Sequence, residues 1–195
     1  MKKGFTLVEM LIVVLIFGIL AGLLFKTYIA ITRVAFRLEQ EKNVSTTIVT
    51  VSRIIQNFTD RNTINYSWYD TATLEQKRGQ VDVLYLHGLD GNFSVWTTGA
   101  CADTVSSYTT GTCQLYMQTQ SGLVYLTDTG FVNLTQIQFQ LLPYTHPDTS
   151  TCSPNYFVCK RKPAFWVMTT FFSPYYIGDR NTDAVVPFQL FFTTR

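Results

Sequence analysis

The chain has 195 residues, 47% of them hydrophobic and only 14% charged, with a formal net charge of +2. That length accommodates one anchor segment and one globular domain of ordinary size. Residues 61–195 carry eight basic and nine acidic groups, so this larger part is nearly neutral, and its Lys160-Arg161-Lys162 triplet is too short for the basic patch of a nucleic-acid binder. In chain order, the first element is an apolar run from Met10 to Phe25, preceded by Phe5-Thr6-Leu7-Val8-Glu9. Glu9 is the only ionisable side chain between Phe5 and Phe25. As a helix this stretch is about 31 Å long, close to the ~30 Å hydrocarbon core of a bilayer. A carboxylate buried there without a partner costs roughly 2.5–3.5 kcal/mol or more, which makes Glu9 a functional candidate. Gly18 and Gly22 form a small-xxx-small pair, a spacing that lets a second helix approach closely.

The string Lys3-Gly4-Phe5-Thr6-Leu7-Val8-Glu9-Met10, followed at once by the apolar helix, resembles the cleavage and N-methylation signature of type IV prepilins and type II secretion pseudopilins. The resemblance implies that a prepilin peptidase/methyltransferase cuts after Gly4 and methylates Phe5. Residues 1–4 would then be the leader, with Lys2 and Lys3 held in the cytoplasm by the positive-inside bias. Unlike a secretory signal peptide, the apolar segment would follow the cut and stay in the mature protein. Glu9 matches the glutamate that the family places five residues into the mature chain. The resemblance implies that it pairs with the methylated amine of a neighbouring subunit, a contact that offsets desolvation of both charges. Implied partners are therefore the peptidase, other pilins or pseudopilins in a filament, and the inner membrane. The implied location is a single-pass inner-membrane protein with an extracytoplasmic domain.

Past Lys26 the helical pattern continues. Val44, Ile48, Val51, Ile55 and Phe58 recur at spacings of four, three, four and three, the mark of an amphipathic helix. No Gly or Pro interrupts Leu23 to Arg78, so one helix from about Thr6 to about Thr59 is expected. Its division is into a membrane-spanning and polymerising part at 5–26 and an amphipathic outer part at 27–60, which leaves 61–195 as a β-rich extracytoplasmic domain. The fold class is α+β: a long N-terminal helix packed on an antiparallel β-sheet, as in pilins.

In the second half, Val81–Leu86 reads as a strand, and Gln114–Gln118 and Leu123–Leu126 flank Gln120-Ser121-Gly122 as a hairpin. Thr135–Leu141 alternates apolar and amide residues, which turns Ile137, Phe139 and Leu141 inward. Phe165–Phe172 and Val185–Phe192 read as further strands, and the polar stretches 62–80, 97–112 and 144–162 as loops. The four cysteines, Cys101, Cys113, Cys152 and Cys159, all fall in this part, an even number suited to disulfides in an oxidising compartment. Three connectivities are open; the local staples Cys101–Cys113 and Cys152–Cys159 are favoured. Zinc-type spacings are absent. Asp90-Gly91-Asn92 and Asp179–Asp183 offer oxygens but do not match an EF-hand loop.

No catalytic motif of the common classes occurs, so no catalytic residue, metal or cofactor is expected, and the chain reads as a structural subunit rather than an enzyme. Its length and the segments Arg37-Leu38-Glu39-Gln40-Glu41 and Val186–Phe192 resemble the minor pseudopilin J or PilW-type group. The alternatives are a major adhesive pilin and a DNA-uptake competence pilin; no nucleic-acid partner is expected.

Overall fold

The computed structural model describes residues 6–88, 91–101, 113–144, 162–174 and 185–194. The helix α1 runs from Leu7 to Thr59 without a break, as the absence of Pro and of Gly beyond Gly22 allows. The chain divides into two compact units at Glu39/Gln40. In the first, every described residue from 6 to 39 is exposed.

The second unit begins where α1 starts to be buried. Gln40, Val44, Val51, Ile55 and Thr59 are buried, with Ile48, Ile54 and Phe58 partly so, which is the stripe that the periodicity predicts. Gln40 marks the boundary chemically as well: its side-chain Oε1 accepts a 2.7 Å hydrogen bond from Ser173 Oγ. The stripe covers a core built from two antiparallel sheets rather than the single sheet expected. Sheet one has the order β1 (Asn62–Ile64), β3 (Val83–Gly88), β4 (Gly91–Gly99), β5 (Cys113–Thr119), β6 (Gly122–Tyr125). Sheet two has the order β10 (Val185–Thr193), β9 (Ala164–Phe172), β8 (Gln138–Leu142), β2 (Gln80–Val81), with β7 (Asn133–Leu134) also on β9. Leu84, Leu86, Val95 and Leu115 of sheet one join Phe139, Leu141, Phe165 and Val167 of sheet two in one buried cluster with the helix. Both sheets need an apolar cover on one face, and one helical stripe with two inner sheet faces supplies it.

Three segments differ from the sequence reading. The stretch 62–80 is not a loop: it holds β1, a 3-10 turn at Tyr66–Trp68, the short helix α2 (Thr71–Gln76) and the start of β2. Its polar composition hides one buried anchor, Leu74, and a cap, Asp70, whose side chain accepts from the Thr73 backbone N–H at 3.0 Å. Gly79 closes the helix at φ +80°, and a Cβ there would lie 2.6 Å from the Leu141 carbonyl oxygen, so only glycine fits. Second, β4 runs on to Gly99, into the stretch read as loop; Asn92, Ser94 and Thr98 among its outward residues blur the apolar pattern. Third, the strand expected at 135–141 is split. Ile137, Phe139 and Leu141 do point inward, at 1%, 0% and 0% exposure. Thr135, however, pairs with Thr170 through its backbone N–H, which donates to Thr170 O, and its Oγ1, which accepts from the Thr170 N–H, at 2.9 Å each, and so separates β7 from β8.

Tyr69 secures the edge of β3: its hydroxyl donates to Val83 O at 3.0 Å and accepts from Tyr85 N at 2.7 Å. Burial pushes the Tyr66 and Tyr69 hydroxyls well above the ordinary phenol range, so both stay neutral. The disulfide Cys101–Cys113 joins the end of β4 to the start of β5. Cys113 is 1% exposed, and its backbone N–H donates to the buried Asn133 side chain at 2.9 Å. Cys152 and Cys159 lie outside the described residues, as do Asp90 and the Asp179–Asp183 segment.

Closing a loop of sequence separation 12 limits the unfolded chain, so replacing both Cys101 and Cys113 by Ala lowers unfolding free energy by about 3 kcal/mol, read by denaturant titration; an unchanged midpoint contradicts this. The Thr73 side-chain and backbone hydrogen bonds hold the exposed Asp70 carboxyl below its usual value. Its contribution is therefore complete above the unfolded pKa near 4 and fades as pH falls through the lower folded value. Asp70→Asn removes that acid-side dependence, which a comparison of thermal midpoints below pH 4 and at neutrality detects.

Candidate functional site

The candidate site starts at Thr6, the residue before α1. The Thr6 backbone N–H donates to Glu9 Oε2 at 2.9 Å, and the Thr6 hydroxyl donates to the same oxygen at 3.0 Å. In return the Glu9 backbone N–H reaches Thr6 Oγ1 at 3.4 Å. This is a reciprocal capping box: the helix N-terminus has unsatisfied N–H groups, and the Thr and Glu side chains satisfy two of them. The position also suits the charge, since the N-terminal end of the helix dipole favours an anion in the first turn. The carboxylate is thus partly solvated by its own chain before any partner arrives. Sequence analysis singled out Glu9 and missed Thr6, although Thr-x-x-Glu before an apolar run is a legible capping signal.

Beyond Glu9 the helix presents large apolar side chains on all sides. Leu7, Phe17 and Phe25 are 81%, 73% and 70% exposed, and no residue in the most apolar 18-residue window is buried. Such a surface is far larger than soluble chains leave open and has the length and composition to cross a membrane. Gly18 and Gly22 lie within it, and a Cβ added at either would meet nothing within 4 Å. Their closeness to a second helix is therefore not used within this chain. Gly4 and Phe5 lie outside the described residues.

Among the described residues of the second unit, no arrangement of side chains assembles a catalytic constellation. A cavity of about 550 Å³ at the end of α1 is lined by Asn57, Phe58, Arg61, Asn62, Phe93 and the Gln120-Ser121 turn, with Arg61 its sole charged side chain among the described residues. His87 Nδ1 sits 2.7 Å from Asn92 Oδ1 across the β3–β4 pair, and Thr63 is its register partner on β1. Among the described residues no three His, Cys, Asp or Glu side chains gather in a way that could hold a metal ion.

A family model described as the prokaryotic N-terminal methylation motif matches residues 1–25. The match supports a type IV pilin-like family. The motif marks structural pilin subunits rather than enzymes, and implies processing by a prepilin peptidase and assembly with other pilins. With the exposed apolar helix it also suggests membrane anchoring. The long helix packed through its 40–59 portion on antiparallel sheets is consistent with the pilin fold. No curated protein and no solved structure matches the chain.

Because Thr6 supplies one side of the cap, Thr6→Ala loosens the first helical turn by about 0.5–2 kcal/mol. Amide exchange at Leu7 to Glu9 in detergent-solubilised protein rises accordingly while the core strands are unaltered. Equal exchange in both proteins contradicts the cap.

Proposed function

We propose that the chain is a structural subunit of a type IV pilus or type II secretion pseudopilus, cut after Gly4, methylated on Phe5, and assembled through its N-terminal helix. The observation that carries this reading is the coincidence of the methylation motif with a helix whose apolar surface is exposed among the described residues. Lipid covers that surface in the single-pass inner-membrane form, with residues 40–195 on the extracytoplasmic side. In the filament, the same segments of neighbouring subunits replace lipid. Apolar packing then supplies most of the attraction, and Gly18 and Gly22 set how near two helices come.

Glu9 sets the register. Its Oε2 is engaged by Thr6, while Oε1 takes no bond among the described residues and is the oxygen left for an incoming amine. The methylated amine of Phe5 on an adjacent subunit meets that carboxylate at one axial offset, where each charge offsets the other's desolvation. Cys152–Cys159 forms a second staple in this account, alongside Cys101–Cys113.

Within this class we assign a minor subunit, of the pseudopilin J or PilW type, on chain length and on the likeness of the 37–41 and 186–192 segments to that group. A competence pilin that takes up DNA is disfavoured by charge: no Lys or Arg occurs between Gly79 and Cys159.

Mass spectrometry of the membrane-extracted protein tests processing. The expected N-terminus is N-methylated Phe5, and a mature chain that retains Met1 contradicts the assignment. Glu9→Ala enters the membrane in normal amount but is depleted from sheared filaments about tenfold or more, the loss of one desolvated charge pair; equal incorporation removes Glu9 from this role. Gly18→Leu with Gly22→Leu leaves the thermal midpoint of the second unit unchanged and reduces incorporation, because among the described residues a Cβ added at either glycine meets nothing within 4 Å.

A further inference from the structure

The outer face of sheet one carries a feature that assembly does not use. Leu84, Leu86, Phe93, Val95, Leu115 and Met117 point into the core. Strand alternation therefore turns Tyr85, Trp96 and Tyr116 to the opposite face. The register places Trp96 opposite Val83 on one side and Tyr116 on the other, and Tyr116 opposite Tyr125. Four adjacent strands thus contribute one continuous row. Trp96 and Tyr116 are stacked, with centroids 6.2 Å apart and planes 19° apart, and Tyr116 lies 4.8 Å from Tyr125. Beside the row, the 3-10 turn places Trp68 4.9 Å from Tyr85. Tyr125 and Trp68 are 61% and 54% exposed, an open arrangement for rings of this size.

The face is aromatic but not simply greasy. Ser94 and Gln118 pair across β4 and β5 next to the row, and Tyr116 Oη donates to Gln114 Oε1 at 2.7 Å, which holds its ring in place. Strands β3 to β6 carry no Lys or Arg, and the charged residues that flank them among the described residues are acidic: Asp82 before β3, and Asp128, which lines a pocket with Gln114 and Tyr125.

We propose that this face binds a neutral polysaccharide. Pyranose rings present C–H faces that stack on aromatic rings, while their hydroxyls point sideways to amide and hydroxyl groups such as those of Gln118 and Ser94. The rings advance by 6.2 and 4.8 Å across neighbouring strands, of the order of the advance of one sugar along an extended glycan. Charge decides among occupants. Single-stranded nucleic acid also stacks on aromatics, but it requires cations along its phosphates, and anionic lipid or acidic glycan requires them too. A face without cations and edged by the exposed Asp82 and Asp128 repels such polyanions, whereas an uncharged glycan meets no repulsion and its hydroxyls can donate to a carboxylate. The inference stands apart from the assembly reading: loss of glycan binding leaves N-terminal processing and Glu9 pairing untouched, and the reverse also holds.

The test uses the full chain in detergent, titrated with neutral hexasaccharides of glucose, N-acetylglucosamine and mannose, and read by tryptophan fluorescence and calorimetry. At least one of the three binds, with an affinity that does not change between low and high salt. Trp96→Ala and Tyr116→Ala each weaken it about tenfold or more, as removal of a central aromatic anchor does. Trp68→Ala and Tyr125→Ala remove exposed rings without opening the core, so they carry the test if either central variant fails to fold; each weakens binding severalfold. The proposal is overturned if none of the hexasaccharides binds, or if binding is indifferent to all four substitutions. It is also overturned if a single-stranded oligonucleotide binds in a salt-sensitive way, or if the four substitutions change only self-association of the chain.

Discussion

The constraint on which the molecule depends is an apolar helix that none of the described residues covers. From Leu7 to Leu38 every described large apolar side chain is exposed, and none of the residues in this stretch belongs to the core. Water is a poor solvent for such a surface, at about 25 cal/mol per Å² of apolar area, so another phase or another copy has to replace it. A bilayer does so without specificity. Copies of the same helix do so with specificity only if something fixes their offset, and an isolated acid in an apolar stretch is suited to that. The capping box adds a detail to the argument: Thr6 satisfies one oxygen of Glu9 and thereby lowers the cost of holding a carboxylate in oil before a partner amine arrives.

The second unit solves its own problem independently. Its helix portion, Gln40 to Thr59, is one-sided, and two sheets share that side. Buried polar groups at the seams are paired: Asn133 with Cys113, Thr127 with Leu115, Thr135 with Thr169 and Thr170, and Gln40 with Ser173. Each satisfies a backbone or side-chain group that would otherwise be lost from water in the core. The pairing confines sheet one to a single register, and that register aligns Trp96, Tyr116 and Tyr125 on the outside.

Much of this was legible in the sequence because its signals are long or local. The helix from Leu7 to Thr59 shows as a stretch without Pro, apolar all round and then periodic, and the stripe from Val44 to Phe58 is the one buried. The Cys101–Cys113 pairing was legible because only eleven residues, most of them polar, separate the two cysteines, so a local staple is the short way to close that stretch. What escaped was non-local. The division into two sheets depends on β9 taking both β8 and β10 as neighbours, a choice among similar apolar strands that no alternation pattern encodes. Helix α2 escaped because six residues with one buried leucine leave almost no periodicity. Thr6 was overlooked beside a more conspicuous carboxylate, although its spacing from Glu9 is a plain capping signal. The row of rings on sheet one exists only once three register pairs are known.

The central claim is that Glu9 acquires its counter-charge from a neighbouring copy inside the filament. A density map of the assembled fibre at side-chain resolution tests it most directly. The account predicts the Glu9 carboxylate within about 4 Å of the Phe5 amine of an adjacent subunit, in a core without water. A carboxylate that faces solvent, or one separated from every Phe5 amine by more than a hydrogen-bonded bridge, contradicts it.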